Sequence, residues 1–323
     1  MSLLGQDPTA LGQADLRRRL EARLAVEALH HKGRRAHGRG DYLLRHDRTI
    51  APVLRTVLRM MGLYSRGVRN ALNPVVRNVR INFSNLPLGF EGFRLLHLTD
   101  FHIDGVDGLA EVLAVRLSDL QADVCVLTGD YRFETEGPCT AVYPRMRTVL
   151  SAIRARAGIF GVLGNHDAAE IALELSNCGV RMLVNEALEL KCDGESMWLA
   201  GVDDPHYYGC DDLKAALGPV PGQAFKILLA HSPEMFQEAA EAGVHLYLCG
   251  HTHGGQICLP KWGPVLRNAE CPKAYTSGLW RHNGMWGYTS HGVGASMLPV
   301  RYNCPPEIAL IELGRPKETL LTP

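Results

Sequence analysis

The sequence predicts an α/β fold, and three observations carry that prediction. From Phe93 onward, continuous apolar runs of strand length alternate with stretches of helix length. Each of the five principal runs stops at a polar cluster. Before Phe93 the chain is basic and helical in pattern. Continuous apolar strands belong to sheets buried on both faces, with helices covering them. Residues 1–90 therefore read as a basic amphipathic helical region and residues 91–323 as the α/β domain.

Composition sets the outer limits. A chain of 323 residues, 46% hydrophobic and 21% charged, is long enough for a sizeable core and has globular character. The net charge of zero hides an asymmetry: residues 1–80 hold sixteen Arg and Lys against six Asp and Glu, so the remainder is acidic by the same margin. Nine cysteines without a Cys-x-x-Cys pair read as reduced thiols of a cytosolic protein. The first thirty residues lack the apolar core of a signal peptide, and no run approaches the roughly eighteen apolar residues of a membrane span. The expected location is cytoplasmic, with peripheral attachment to the inner membrane open.

In chain order, Leu16, Leu20, Leu24 and Leu29 fall near helical spacing between Ala14 and Leu29, with Arg17, Arg18, Arg19 and Arg23 elsewhere on the turn. His30 to Asp47 is rich in Gly, His and Arg and reads as a connector. After Pro52, apolar Val53, Leu54, Val57, Leu58, Met60 and Met61 alternate with Arg55, Arg59, Arg66 and Arg69. Such a helix suits an anionic membrane surface, or packs on the α/β domain with its arginines in water. Sparse aromatics disfavour a nucleic-acid surface. Strands are then expected at 93–98, 124–127, 159–163, 225–229 and 244–249, with helices near 107–121, 140–156, 168–177 and 233–242. Shorter alternating pieces at 197–202, 285–290 and 308–313 suggest further strands.

The chemistry lies where the strands end. The five runs finish at Asp100 and His102, at Asp130, at Asn165, His166 and Asp167, at His231, and at Gly250-His251-Thr252-His253. In α/β sheets, ligands bind beyond the carboxyl ends of the strands, so these clusters should converge. Imidazole, carboxylate and amide oxygen without thiolate suit two divalent cations, with manganese, iron or zinc open. Two cations about 3.5 to 4 Å apart would bind a phosphoryl oxygen jointly and activate water for attack on phosphorus.

Asp-x-His, Gly-Asp, Gly-Asn-His-Asp, a separate His and Gly-His-x-His, in this order, resemble the calcineurin-like metallophosphoesterase superfamily over about residues 93–313. The resemblance implies a four-layer α/β/β/α sandwich, which the basic helical extension read above would precede. It further implies that Asp100, His102 and His253 hold one metal, that Asn165, His231 and His251 hold the other, and that Asp130 bridges. Manganese is the metal it favours. His166 would act on the phosphoryl or leaving oxygen, with Asp167 orienting its ring.

Within the superfamily, His97 to His102, Leu229 to Glu234, Gly250 to Gln256 and Pro299 to Ile308 are similar to the YkuE-like branch, which includes the chlamydial type of UDP-2,3-diacylglucosamine pyrophosphatase. That branch implies a lipid-linked nucleotide pyrophosphate as substrate, split to UMP and an acylated sugar phosphate in lipid A synthesis. A phosphodiesterase or phosphomonoesterase of another substrate, and a scaffold without turnover, are the alternatives. Arg301 reads as a phosphate contact or a structural arginine. His291 sits in a turn that could face the metals, and His206, with Asp203 and Asp204, reads as a substrate-side loop. The segment 261–286, with Trp262, Trp280 and Trp286, reads as a lid or a packed surface loop.

Overall fold

The apolar runs become two six-stranded sheets that pack face to face in the computed structural model of the chain, which describes residues 13–31, 44–265 and 268–316. The strands of the first half are β1 (Val75–Asn82), β2 (Arg94–Leu98), β3 (Val124–Leu127), β4 (Ile159–Gly161), β5 (Val180–Met182), β6 (Glu186–Cys192) and β7 (Glu195–Gly201). Those of the second are β8 (Lys226–Leu229), β9 (Leu246–Cys249), β10 (Cys258–Leu259), β11 (Gly263–Pro264), β12 (Gly278–His282), β13 (Met285–Thr289) and β14 (Glu307–Gly314). One sheet has the order β1-β14-β2-β3-β4-β5 and the other β12-β13-β9-β8-β7-β6. β10 and β11 form a separate antiparallel pair.

Alternation along the strands sorts the core into layers. Leu95 of β2 and Val124 and Val126 of β3 point between the sheets, where they meet Leu199, Ile227, Leu229, Leu246 and Leu248 of the second sheet. Their neighbours Leu96, Leu98, Cys125 and Leu127 point outward, onto helices α5 (Leu109–Leu117), α6 (Val142–Ser151) and α7 (Ala169–Asn177). Leu228 and Tyr247 pack outward against Ala216 of α8 (Leu213–Leu217) and Ala239 of α9 (Phe236–Glu241). Strands buried on both faces have no polar face to show, which is why β3, β8 and β9 are buried along their whole length. This is the four-layer α/β/β/α sandwich.

Among the described residues four helices precede it: α1 (Gln13–Arg19), α2 (Glu21–His31), α3 (Leu44–Met60) and α4 (Tyr64–Ala71), so the single helix expected over residues 14–29 is broken near Leu20. α3 starts inside the stretch expected as a connector and runs through Pro52. Residues 32–43 of that connector lie outside the described residues. The helical character expected up to residue 90 also ends earlier, because β1 joins the sheet edge in parallel register with β14. Arg77 and Arg80 make β1 look continuous with the basic extension. On an edge strand such charges are at home, since they discourage pairing with another chain. Among the described residues, no helix is long and apolar enough to cross a membrane.

Candidate metal centre

Loops following β2, β3, β4, β8 and β9 meet at one end of the sandwich. The peptide N–H of Asp100 donates to the Gly129 carbonyl (2.9 Å), that of His102 to Asp130 (3.0 Å), and that of Gly250 to His231 (2.8 Å), so each loop is tied to its neighbour. The loops approach so closely that a Cβ on Gly164 would press on the Asp130 carboxylate, and one on Gly250 on that of Asp100. Asp100, His102, Asp130, His251 and His253 all adopt positive φ, between 39° and 70°. Left-handed backbone at residues other than glycine costs about 1–3 kcal/mol each and persists where the surroundings enforce it, most often at functional sites. Here it turns successive side chains toward a single point.

That point has two halves. Ligand atoms of Asp100, His102 and His253 lie within 4.8 Å of one another, and so do those of Asp130, His231 and His251. Asp130 Oδ2 stands between the halves, 3.5 Å from His102 Nε2 and 3.3 Å from His231 Nε2. Asn165 Oδ1 completes the second half, 2.9 Å from both His231 Nε2 and His251 Nδ1. His231 donates its Nδ1–H to the Thr128 carbonyl and His102 donates its own to the Arg132 carbonyl, each at 2.8 Å. In the neutral rings Nε2 is then a bare lone pair. Once His231 gives up its Nε2 proton, that nitrogen and Asn165 Oδ1 are two acceptors facing each other at 2.9 Å, an arrangement that a cation between them relieves. His251 Nε2 is buried without a hydrogen-bond partner, which is consistent with Nδ1 being the atom that serves the cluster. The residues present fit a pair of divalent cations.

Burial shapes the charges. It lowers His102 to a pKa of about 3 and takes His251 and His253 well below the usual imidazole value. Burial raises Asp100 to about 7. At His231 burial also opposes charge, but the facing Asp130 carboxylate outweighs it and raises the ring to about 10. Asp130 resists its own burial because His231, His166 and His102 surround it, which holds it well below the ordinary carboxylate range.

The surrounding residues divide. His166 Nε2 is 4.0 Å from Asp130 Oδ2, and its Nδ1 donates to the Phe133 carbonyl at 2.6 Å. Asp167 does not orient that ring as the sequence suggested. Its carboxylate accepts the backbone N–H groups of Asp130, Tyr131 and Gly164, each at 2.8 Å, and so staples two of the loops. His206 is brought to the centre, its ring 4.0 Å from that of His251 and its Nδ1 2.9 Å from Glu234. His291 stands behind the Gly254 turn and bonds Ser277 at 2.7 Å.

Arg301 is fully buried and donates to the carbonyls of Gly294 (2.7 Å) and His291 (2.6 Å), besides lying 3.2 Å from His253 Nδ1. That is the structural alternative of its two readings. Of the segment 261–286, expected as a lid or a packed surface loop, residues 278–286 belong to the β12–β13 hairpin, with Trp280 buried and donating to Thr289, whereas Trp262 is 84% exposed and residues 266–267 lie outside the described residues.

The profile of the calcineurin-like phosphoesterase family matches residues 93–255. The uncharacterized metallophosphoesterase YkuE of Bacillus subtilis is 30% identical over 244 residues, covering 72% of this chain and 83% of its own. The phosphodiesterase YaeI of Escherichia coli is 29% identical over 232 residues, covering 68% and 82%. A bovine transmembrane protein with a metallophosphoesterase domain is 31% identical over 288 residues, covering 82% of this chain and 62% of its own. The chain belongs to the calcineurin-like phosphoesterase family and is a metal-dependent phosphoesterase.

Proposed function

We propose that the strand-end cluster is a two-cation centre that hydrolyses a phosphoester or phosphoanhydride bond. The observation that carries this reading is the placement of Asp130 Oδ2 between two sets of inward-facing ligand atoms. Asp100, His102 and His253 would hold one cation and Asn165, His231 and His251 the other, with Asp130 available to both. Bound there, divalent cations supply Lewis acidity and charge neutralisation at the phosphoryl group. Manganese suits this donor set, as do iron and zinc.

The chain's own groups do the rest. Asp130 Oδ1 accepts the His166 peptide N–H at 2.9 Å, which fixes the His166 backbone against the centre. The Phe133 carbonyl engages Nδ1, so Nε2 is the atom directed to the reacting group. With Nδ1–H kept on Phe133, Nε2 takes up a proton to give the imidazolium and hands that proton to the leaving oxygen. Asp167 keeps the loop in register by bonding backbone alone.

The proposed substrate is a nucleotide pyrophosphate bearing acyl chains, UDP-2,3-diacylglucosamine, met at an anionic membrane surface. Support comes from α3, which buries Ala51 and Leu58 against Leu298 and Val300 yet leaves Met60, and Met61 just past its end, 77% and 64% exposed beside exposed Arg59. Apolar residues rimmed by arginine suit acyl chains and headgroups. The test is UMP release by the manganese-loaded chain, with Asp130→Asn as the blank. Turnover of bis-p-nitrophenyl phosphate alone would favour the second reading, a simpler phosphodiesterase, which the name of the Escherichia coli relative supports.

A further inference from the structure

The α2 helix reaches the proposed centre from a distant part of the chain. Arg23 is fully buried, although its neighbours Ala22 and Leu24 face solvent. Arg23 Nη1 donates to the Asp167 carbonyl at 2.6 Å and to the Gly164 carbonyl at 3.2 Å. Its Nε lies 3.0 Å from Asp203 Oδ1, and its guanidinium carbon sits 3.8 Å from the Tyr208 ring centroid. One helical turn later, Glu27 Oε1 accepts the Ala169 N–H at 2.8 Å. Leu16 and Leu20, both buried in the layer that holds α7, dock α1 and the start of α2 there.

The bonded groups bracket one loop. Gly164 precedes Asn165, Asp167 follows His166, and Ala169 opens α7. Buried carbonyls require donors, and a guanidinium offers several in one rigid plane. Asp203, just past β7, balances the buried charge, so Arg23 also ties a loop of the second sheet to a loop of the first.

We propose that α2 is a clasp on the Gly164–Ala169 loop, with Arg23 and Glu27 as positioning residues that hold Asn165 and His166 at the metal centre. This rests on the two-cation reading above. Because Asn165 serves one half of the centre, loss of the clasp weakens one cation far more than the other.

The test is calorimetric titration of the full-length metal-free chain with Mn2+, backed by the visible spectrum of the Co2+ form, which reports ligand geometry. The wild type, Arg23→Ala, Arg23→Lys, Glu27→Ala and Glu27→Gln are compared, with exposed Arg17→Ala as control. The expected result for Arg23→Ala is one binding step weakened about 10- to 100-fold, as when groups supporting a ligand are removed, with the other step kept and the Co2+ spectrum changed. Glu27→Gln, which still accepts a hydrogen bond, should recover what Glu27→Ala loses. Two unchanged steps in Arg23→Ala, or equal weakening of both with only a lower melting temperature, overturn the clasp. Should Arg23→Ala not fold, Arg23→Lys and the Glu27 pair decide by the same criteria. A wild type that binds no Mn2+ removes the two-cation reading itself, and the clasp with it.

Discussion

Asp130 Oδ2 lies 3.3 Å from His231 Nε2, both groups fully enclosed, and each holds the other in its charged form. With His231 raised to about 10, a proton occupies the metal-free centre at neutral pH. A cation must displace it.

Metal affinity should therefore rise with pH, by about tenfold per unit for each proton displaced, until the pH passes the His231 value. Calorimetry at pH 7 in buffers of different ionisation enthalpy measures the release directly. A binding heat that does not vary with the buffer would contradict this account.

Asp130→Asn and His251→Ala should each lose metal and turnover together. The amide oxygen introduced by Asp130→Asn can still accept the His166 peptide N–H, so the fold should survive. Metal content by elemental analysis and circular dichroism on the same samples separate loss of the cation from loss of the structure.

His166→Ala should keep both metals and lose turnover by roughly 100- to 10,000-fold, the usual worth of a positioned proton donor. The loss should shrink for substrates whose leaving group needs no proton. An unchanged rate on a poor leaving group would end the assignment.

Gly164→Ala should weaken metal binding and destabilise the chain by about 1–3 kcal/mol, the usual cost of overpacking. The added methyl would press on the Asp130 carboxylate and its peptide nitrogen, neither of which is a flexible end. Denaturant unfolding of the metal-free protein measures the structural part alone.

Much was local and therefore legible in the sequence. Strands buried on both faces must be apolar throughout, so Val124–Leu127 and Leu246–Cys249 announced an α/β sheet. Polar residues at their carboxyl ends have nowhere to go but the loop crevice, and that marked Asp100, Asp130, Asn165 and the histidines as one cluster.

Tertiary structure decided what depends on partners far along the chain. β1 reads as more of the basic extension until β14, more than two hundred residues later, gives it a sheet edge. Asp167 reads as a partner for the adjacent His166 ring, but the peptide groups of Asp130, Tyr131 and Gly164 claim its carboxylate. Arg23 reads as one more arginine of a basic helix, yet it is buried against Asp203 and two loop carbonyls. Apolar periodicity reports which face of an element is covered, whereas a charged side chain is buried only where the fold assembles enough donors and acceptors around it.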